Sequence, residues 1–412
     1  LKTLVTRSRY DLTGTLSDVD LGTWLPAAGF PQAPITGRVN GSVAVRGAYP
    51  HLGLTGNAAI LNGTLGPLPI ERGEIAVRTS GDRIDLTRLS LALPALDATG
   101  TGSFGFAGSA PMDLMVHAVT NDLPRLVAQA TKKNIDVTGK LETTLHLGGS
   151  FSKPTISAAL AGTNVNAYGI VMPSMVGLVA LRGNDLIVRN AEFNFVKGSA
   201  AIAGSLPIEL QPFTFGPPSA PVSMDFLANG VELSSFSAFL GNGTKLGGTL
   251  GGHMGVSGTV GDPRILGRLA VSGGSYRSDL ETTPITNTVA QITFQGTHAM
   301  LDRLQAHPGT GTLTGSGRLD FGGGIHGGPL GYSIAVKTNR AQLNLPQYGT
   351  YTLTSAATLA RVPGQLAKLS GNATITDSTV PFAAFLKFGG GSGASGANAG
   401  PPFNLAFNLA IT

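Results

Sequence analysis

The sequence predicts an all-β protein: a long, repetitive, mostly antiparallel β-sheet with a few short helices at the repeat junctions. Three observations lead there. Apolar and polar residues alternate in short runs that end at Gly, Asn, Asp or Pro, the period-2 signature of half-buried strands. The 412 residues include 59 glycines and are 42% hydrophobic but only 12% charged, where average soluble domains are about 25% charged. One phrase also recurs. Pro221–Leu233 reads PVSMDFLANGVEL, Pro111–Leu123 reads PMDLMVHAVTNDL, and Pro329–Leu343 reads PLGYSIAVKTNRAQL. These copies start about 110 residues apart, and Pro402–Thr412, PFNLAFNLAIT, follows sooner. A fixed long period marks a repeat architecture.

Composition excludes several classes. A disordered chain would be charged and poor in apolar residues. No apolar run reaches the ~18 residues a membrane-spanning helix needs. The net charge of +5 is small for this length, and the basic residues are dispersed without interleaved aromatics, so no nucleic-acid surface is expected. The absence of cysteine removes disulfide frameworks and thiol-based metal sites. The chain opens at Leu1 in strand-like sequence and ends mid-strand at Thr412. An internal stretch of a longer protein is therefore expected, with any export signal or anchor outside it.

The strands read in order. Ile75 and Val77 lead to a turn at Ser80-Gly81-Asp82, and Ile84, Leu86, Leu89, Leu91 and Leu93 follow, with a phase slip near Arg88 that predicts a bulge. Phe104 and Phe106 form the next strand, then Met112, Leu114 and Val116. The second unit gives Leu141, Leu145 and Leu147, then Leu186 and Val188 after the turn Arg182–Asp185, then Phe193 and Phe195. The third gives Val289, Ile292 and Phe294, the turn Gly296-Thr297-His298, then Leu301 and Leu304. A second phrase, glycine–strand–glycine–loop–proline, begins at Ile35, Val137 and Leu246 and puts Pro50, Pro154 and Pro263 in matching places. Proline lacks an amide donor, so each should start a strand or sit in a turn.

Short helices are predicted at Leu21–Ala28, Leu123–Ala130, Val231–Leu240 and Phe382–Phe388. Asp18 or Asp20, Asn121 and Asn229 precede the first three as capping residues. The repeat units run approximately 18–120, 121–228, 229–338 and 339–412, the last incomplete, as parts of one continuous fragment. Residues 389–400, GGGSGASGANAG, read as a flexible loop. At about 12 residues for each strand and turn, roughly 30 to 35 strands are expected. A flat sheet of that size would expose its apolar face. Either a closed solenoid with a packed core or a lengthwise trough with an apolar inner wall meets that constraint.

Catalytic and metal motifs are weak. Gly100-Thr-Gly102-Ser-Phe-Gly105 matches GxGxxG, but a strand rather than a helix is predicted after it. No GxxxxGK[ST] or GxSxG occurs. None of the seven histidines, His51, His117, His146, His253, His298, His307 and His326, has a partner at metal-ligand spacing. Asp18-Val-Asp20 could hold a cation, but helix capping accounts for it more simply. No enzyme activity, cofactor or metal is expected.

The repeated phrases resemble the TamB/AsmA-like bacterial envelope proteins. The similarity lies in the glycine–strand–glycine–loop–Pro-x-[Leu/Ile]-x-Gly pattern followed by SGGSYRSDL (Gly248–Leu280), and in turn-separated strand pairs such as Ala290–Gly324. It covers nearly the whole chain as a style of repeat, and the third unit is most like TamB. The resemblance implies an elongated U-shaped, β-taco-like groove spanning the periplasm, whose apolar lining shields phospholipid acyl chains in transit and supports outer-membrane biogenesis. It also implies an inner-membrane anchor and an outer-membrane barrel partner of the BamA type, both engaged through segments not recognisable here.

On that reading the groove is lined by Leu114, Val116, Leu145, Leu147, Val188, Phe193, Phe195, Met224, Phe226, Ile292, Phe294, Leu319, Phe321, Ile334 and Val336. The competing reading is a structural or adhesive β-solenoid of the autotransporter-passenger type, which should instead repeat every ~20 to 30 residues. A β-helical polysaccharide enzyme would need clustered carboxylates, and the 23 Asp and Glu are scattered singly.

Overall fold

The computed structural model describes residues 9–27, 35–48, 51–80, 82–105, 110–150, 153–210, 213–240, 243–279, 282–321, 330–346, 349–363, 365–380 and 405–411. The protein is all-β, its strands forming long antiparallel sheet that does not close into a barrel. It divides into two compact units, Leu1–Ala191 and Glu192–Thr412, with the boundary inside one strand.

In the first unit, β1 (Arg9–Asp20), β2 (Ile35–Ala48) and β3 (His51–Leu65) pair in chain order. A three-residue β4 (Leu68–Ile70) folds back on the end of β3. The meander continues through β5 (Arg72–Ser80), β6 (Arg83–Leu93), β7 (Leu96–Gly105), β8 (Met112–Thr120), β9 (Val137–Ser150), β10 (Lys153–Ala167) and β11 (Ile170–Arg182). The strand β12 (Asp185–Asn194) crosses the unit boundary.

In the second unit, β13 (Ser199–Leu210) pairs with β15 (Ser223–Glu232) and, at its far end, with the short β14 (Phe213–Phe215). The series then runs through β16 (Lys245–Gly258), β17 (Pro263–Arg277), β18 (Ile285–Gly296), β19 (His298–Pro308), β20 (Thr312–Asp320), β21 (Gly331–Leu345), β22 (Gly349–Arg361) and β23 (Ala367–Thr379), every neighbour antiparallel. The last strand, β24 (Leu405–Ile411), instead adds to β23 in parallel. Nearest-neighbour antiparallel pairing is the topology that two-residue and short turns enforce, since a parallel connection needs a long crossover. The turn at Arg182–Asp185 and the one at Gly296–His298 lie where the sequence predicts them.

Strands are fewer and longer than expected: 24 are named among the described residues, and several reach 15. The physical reason is the bulge. Where the polar–apolar phase slips, the strand absorbs one extra residue and continues instead of ending. The slip near Arg88 is such a place, for the register shifts between Leu86 and Leu89.

Other bulges recur at one edge of each unit. In the first unit Asp18 (φ 56°), Asn62 (φ 51°) and Asn164 (φ 49°) are left-handed at register shifts in β1, β3 and β10. In the second unit Gly230 (φ 61°), Gly273 (φ 58°), Asn287 (φ 49°) and Arg340 (φ 51°) do the same in β15, β17, β18 and β21. Glycine and Asn adopt this conformation at low cost, and Arg340 adopts it against a penalty. All of these positions lie toward the strand ends from which the helices emerge.

The buried cores also sit there. In the first unit Ile70, Leu91, Leu93, Ala98 and Ala118 pack together, and in the second Val231, Ala306 and Ala341 are each at most 3% exposed. Ile208, Val222 and Val260, each at most 4% exposed, lie at the opposite edge of the second unit, where β13 outruns β15 and pairs with β14.

The helices are short. Leu21–Ala27 forms α1 and Leu123–Thr131 forms α2, as expected. The third expected helix is shorter than Val231–Leu240. Val231 and Glu232 stay in β15, a 3-10 turn covers Leu233–Phe236, and α3 is Ser237–Leu240. Two capping assignments change. The side chain of Asp122, not Asn121, accepts from the Arg125 amide, while Asn121 donates from Nδ2 to Asp97. Asn229 precedes the left-handed Gly230 inside a bulged strand, and Glu232 stands at the start of the 3-10 turn. Asp20 does cap α1, accepting from the Gly22 amide and the Thr23 hydroxyl. Asp18 instead occupies the β1 bulge and pairs with Arg38. The predicted helix Phe382–Phe388, the loop 389–400, Gly81 and Pro50 lie outside the described residues.

Candidate lipid-facing surface

Directly opposed residues of an antiparallel pair point to the same face, so the register assigns every side chain to a side. In the first unit one row runs Val43, Gly56, Val77, Leu86, Gly102, Leu114, Leu147, Ile156, Leu181. The neighbouring row runs Gly41, Ala58, Ile75, Leu89, Gly100, Val116, Leu145, Ala158, Val179. Leu114, Val116, Leu145 and Leu147 therefore stand together on one apolar face.

The second unit repeats the arrangement. One row passes from Ile202 through Phe226, Met254, Gly267, Phe294, Ala299 and Leu319 to Tyr332 and Arg361. Beside it run Ala228, Gly252, Leu269, Ile292, Leu301, Gly317, Ile334 and Leu359. Met224 opposes Val256, and Val336 opposes Gly315 and Ala357. Phe321 joins this face by stacking on Phe294, ring centroids 6.2 Å apart and planes 10° from parallel. Val188 and Phe193 lie in β12, and the Phe195 ring is 6.0 Å from that of Phe236 in the 3-10 turn.

Burial distinguishes this face from an ordinary core. All fifteen predicted lining residues are half-buried, neither sealed in the interior nor fully exposed. Leu86, Ala158 and Ala299 in the same rows are fully buried, as are the core residues at the helix-bearing edges.

Glycine alternates with bulky residues along these rows, which the sequence reading missed. Gly252 and Gly267 show why they matter. Both have φ near +135° (137° and 133°), and a Cβ at either would meet a carbonyl oxygen of the next strand within 2.3 Å and a Cα within 2.9 Å. Only glycine lets β16 and β17 approach and bend at this point. Kinks of this kind and the bulges at the edge are the devices by which sheets curve.

The opposite face carries polar side chains paired across strands, with exposed apolar residues such as Met115, Leu227 and Leu266 among them. Arg46 bonds to Asp11, Arg78 to Asp85, His146 to Asp113 and His253 to Asp225 across strands. Lys140 donates to Glu142 and holds its carboxyl below the usual range, first through the hydrogen bond and then through charge. Such exposed pairs contribute little to stability. A depression of about 710 Å³ in the first unit is lined by Thr13, Thr15, Ser42, Thr55, Asn57, Arg78 and Thr87. Gly14, Val43, Ala44, Gly56, Ala76 and Val77 complete its lining, so it is polar and apolar in comparable measure.

No group of three or more metal-ligating side chains occurs among the described residues, and the GxGxxG stretch lies within strand β7. No helix among the described residues is long and apolar enough to cross a membrane. No family model, no curated protein and no solved structure matches this chain.

Proposed function

We propose that this chain is part of a lipid-carrying groove of the TamB/AsmA-like kind, its sheet curled so that the apolar face forms the inner wall. The observation that carries the reading is the half-burial of all fifteen lining residues, eleven of which strand register sets side by side on the predominantly apolar faces. A dry core would seal such residues. A surface made to be covered by something else leaves them partly open. Acyl chains are suitable covers, since each buried methylene contributes ~0.8 kcal/mol without needing a polar partner.

The mechanism is passive. The apolar rows offer no residue for nucleotide hydrolysis, so direction comes from outside the groove. Phospholipids are the proposed cargo, the periplasm is the proposed location, and the bridge runs between inner and outer membranes in support of outer-membrane biogenesis. The inner-membrane anchor and the BamA-type barrel partner belong to the same proposal. The nearest-neighbour antiparallel order speaks for this reading over the adhesive solenoid, whose coils stack strands in parallel.

Native mass spectrometry of the purified chain tests the proposal. Co-purified phospholipid is expected, lost in Phe226→Asp and Phe294→Asp variants whose circular dichroism is unchanged. A chain that never carries lipid would refute it.

A further inference from the structure

The apolar face of the second unit is interrupted by charge at one place. Following the paired rows from β13 to β23, Arg361 is the charged residue among the described positions on that face. It lies opposite Tyr332, which in turn lies opposite Leu319. One row inward stand Ile334, Leu359 and Leu369, all half-buried. Arg361 itself is exposed, at the last residue of β22 and on the edge away from the bulges. Its Nε donates to the Gln365 carbonyl across the turn at 3.3 Å, which leaves the two terminal nitrogens for a ligand.

We propose that Arg361 and Tyr332 form a headgroup subsite for an anionic phosphate-ester lipid, with the acyl chain over Ile334, Leu359 and Leu369. This rests on the lipid-groove reading and adds to it a fixed position for one headgroup. The argument is charge complementarity. A cation at the rim of an apolar face matches an amphiphile whose anionic end adjoins its hydrocarbon. Guanidinium binds phosphate oxygens through paired N–H donors, and the Tyr332 hydroxyl supplies a further donor on the same row. The tail needs only apolar contact, which the inner row gives.

The test is displacement of a fluorescent fatty-acyl probe from the whole chain by dioctanoyl phosphatidic acid and by dioctanoyl glycerol. The two competitors have the same tails and differ in the phosphate. Phosphatidic acid is expected to act at about tenfold lower concentration, the size of a charge-assisted hydrogen-bond contribution. In Arg361→Gln most of that difference should be lost, with displacement by dioctanoyl glycerol unchanged, which also shows that the variant is folded. Inorganic phosphate should displace nothing. Equal potencies in the parent chain, a preference undiminished in Arg361→Gln, or displacement by inorganic phosphate would overturn the subsite while leaving the groove intact. Failure of both lipids and of the probe to bind would overturn the groove reading itself.

Discussion

Phe294 in β18 and Phe321, just beyond β20, stack nearly parallel with ring centroids 6.2 Å apart, and the Phe321 amide donates to the Thr297 carbonyl. The stack joins the end of one strand pair to the turn of another on the apolar face. Both rings are half-buried, so Phe321→Ala is expected to cost about 1–2 kcal/mol, less than truncation of a sealed core aromatic. Urea unfolding of the variant checks this.

Gly267 and Gly183 separate two roles of glycine. Gly183 has φ 61° in the β11–β12 turn, with nothing within 4 Å of an added Cβ. Gly183→Ala should therefore cost about 1 kcal/mol, the left-handed penalty alone. At Gly267 the added Cβ would also meet the His253 carbonyl at 2.3 Å and the Met254 Cα at 2.8 Å. Gly267→Ala is expected to lose roughly 3 kcal/mol or more, because backbone must move. Denaturation midpoints of the two variants, measured side by side, give the comparison.

Thr143 opposes Ala118 and Leu160 on the apolar face of the first unit, and its buried Oγ1 has no hydrogen-bond partner. A buried hydroxyl without a partner keeps its desolvation cost. Thr143→Val removes the hydroxyl at nearly constant shape and should raise stability by about 1 kcal/mol. An unchanged or lower denaturation midpoint would mean that the hydroxyl is satisfied.

Asp122 caps α2 and Asn121 does not. Asp122→Ala should cost about 1 kcal/mol. Asn121→Ala removes an exposed hydrogen bond to Asp97 and should cost less. Thermal unfolding distinguishes them, and the reverse order would restore Asn121 as the cap.

The faces were legible in the sequence because a strand has period 2. Once Met224 and Phe226 are in phase, opposition carries that phase to Met254, Phe294 and Leu319. Tyr332 was legible by the same rule, two residues before Ile334, but its hydroxyl hid it among the polar positions. Bulges were legible only where the phase slip was visible, as near Arg88. The left-handed residues Asn164, Asn287 and Arg340 sit inside strands that look continuous, and nothing local marks them. Asn121 and Asp122 are equally good caps by composition, and the choice between them is made by which side chain reaches the Arg125 amide. The close approach at Gly252 and Gly267 depends on the neighbouring strand, which no single segment reveals.

Phe226 and Leu227 are adjacent, both apolar, and on opposite faces of β15: Phe226 opposes Met254, and Leu227 opposes His253. Leu227 is 40% exposed and Phe226 is half-buried, so exposure alone would favour lipid contact at 227, whereas the face assignment favours 226. A photo-crosslinking amino acid placed at each position in turn, followed by illumination in lipid-containing cells and mass spectrometry of the adducts, measures which face meets acyl chains. Phospholipid adducts at position 226 and none at 227 are the predicted result. Adducts at 227 alone, or at neither position, would contradict the assignment of the apolar face as the lipid surface.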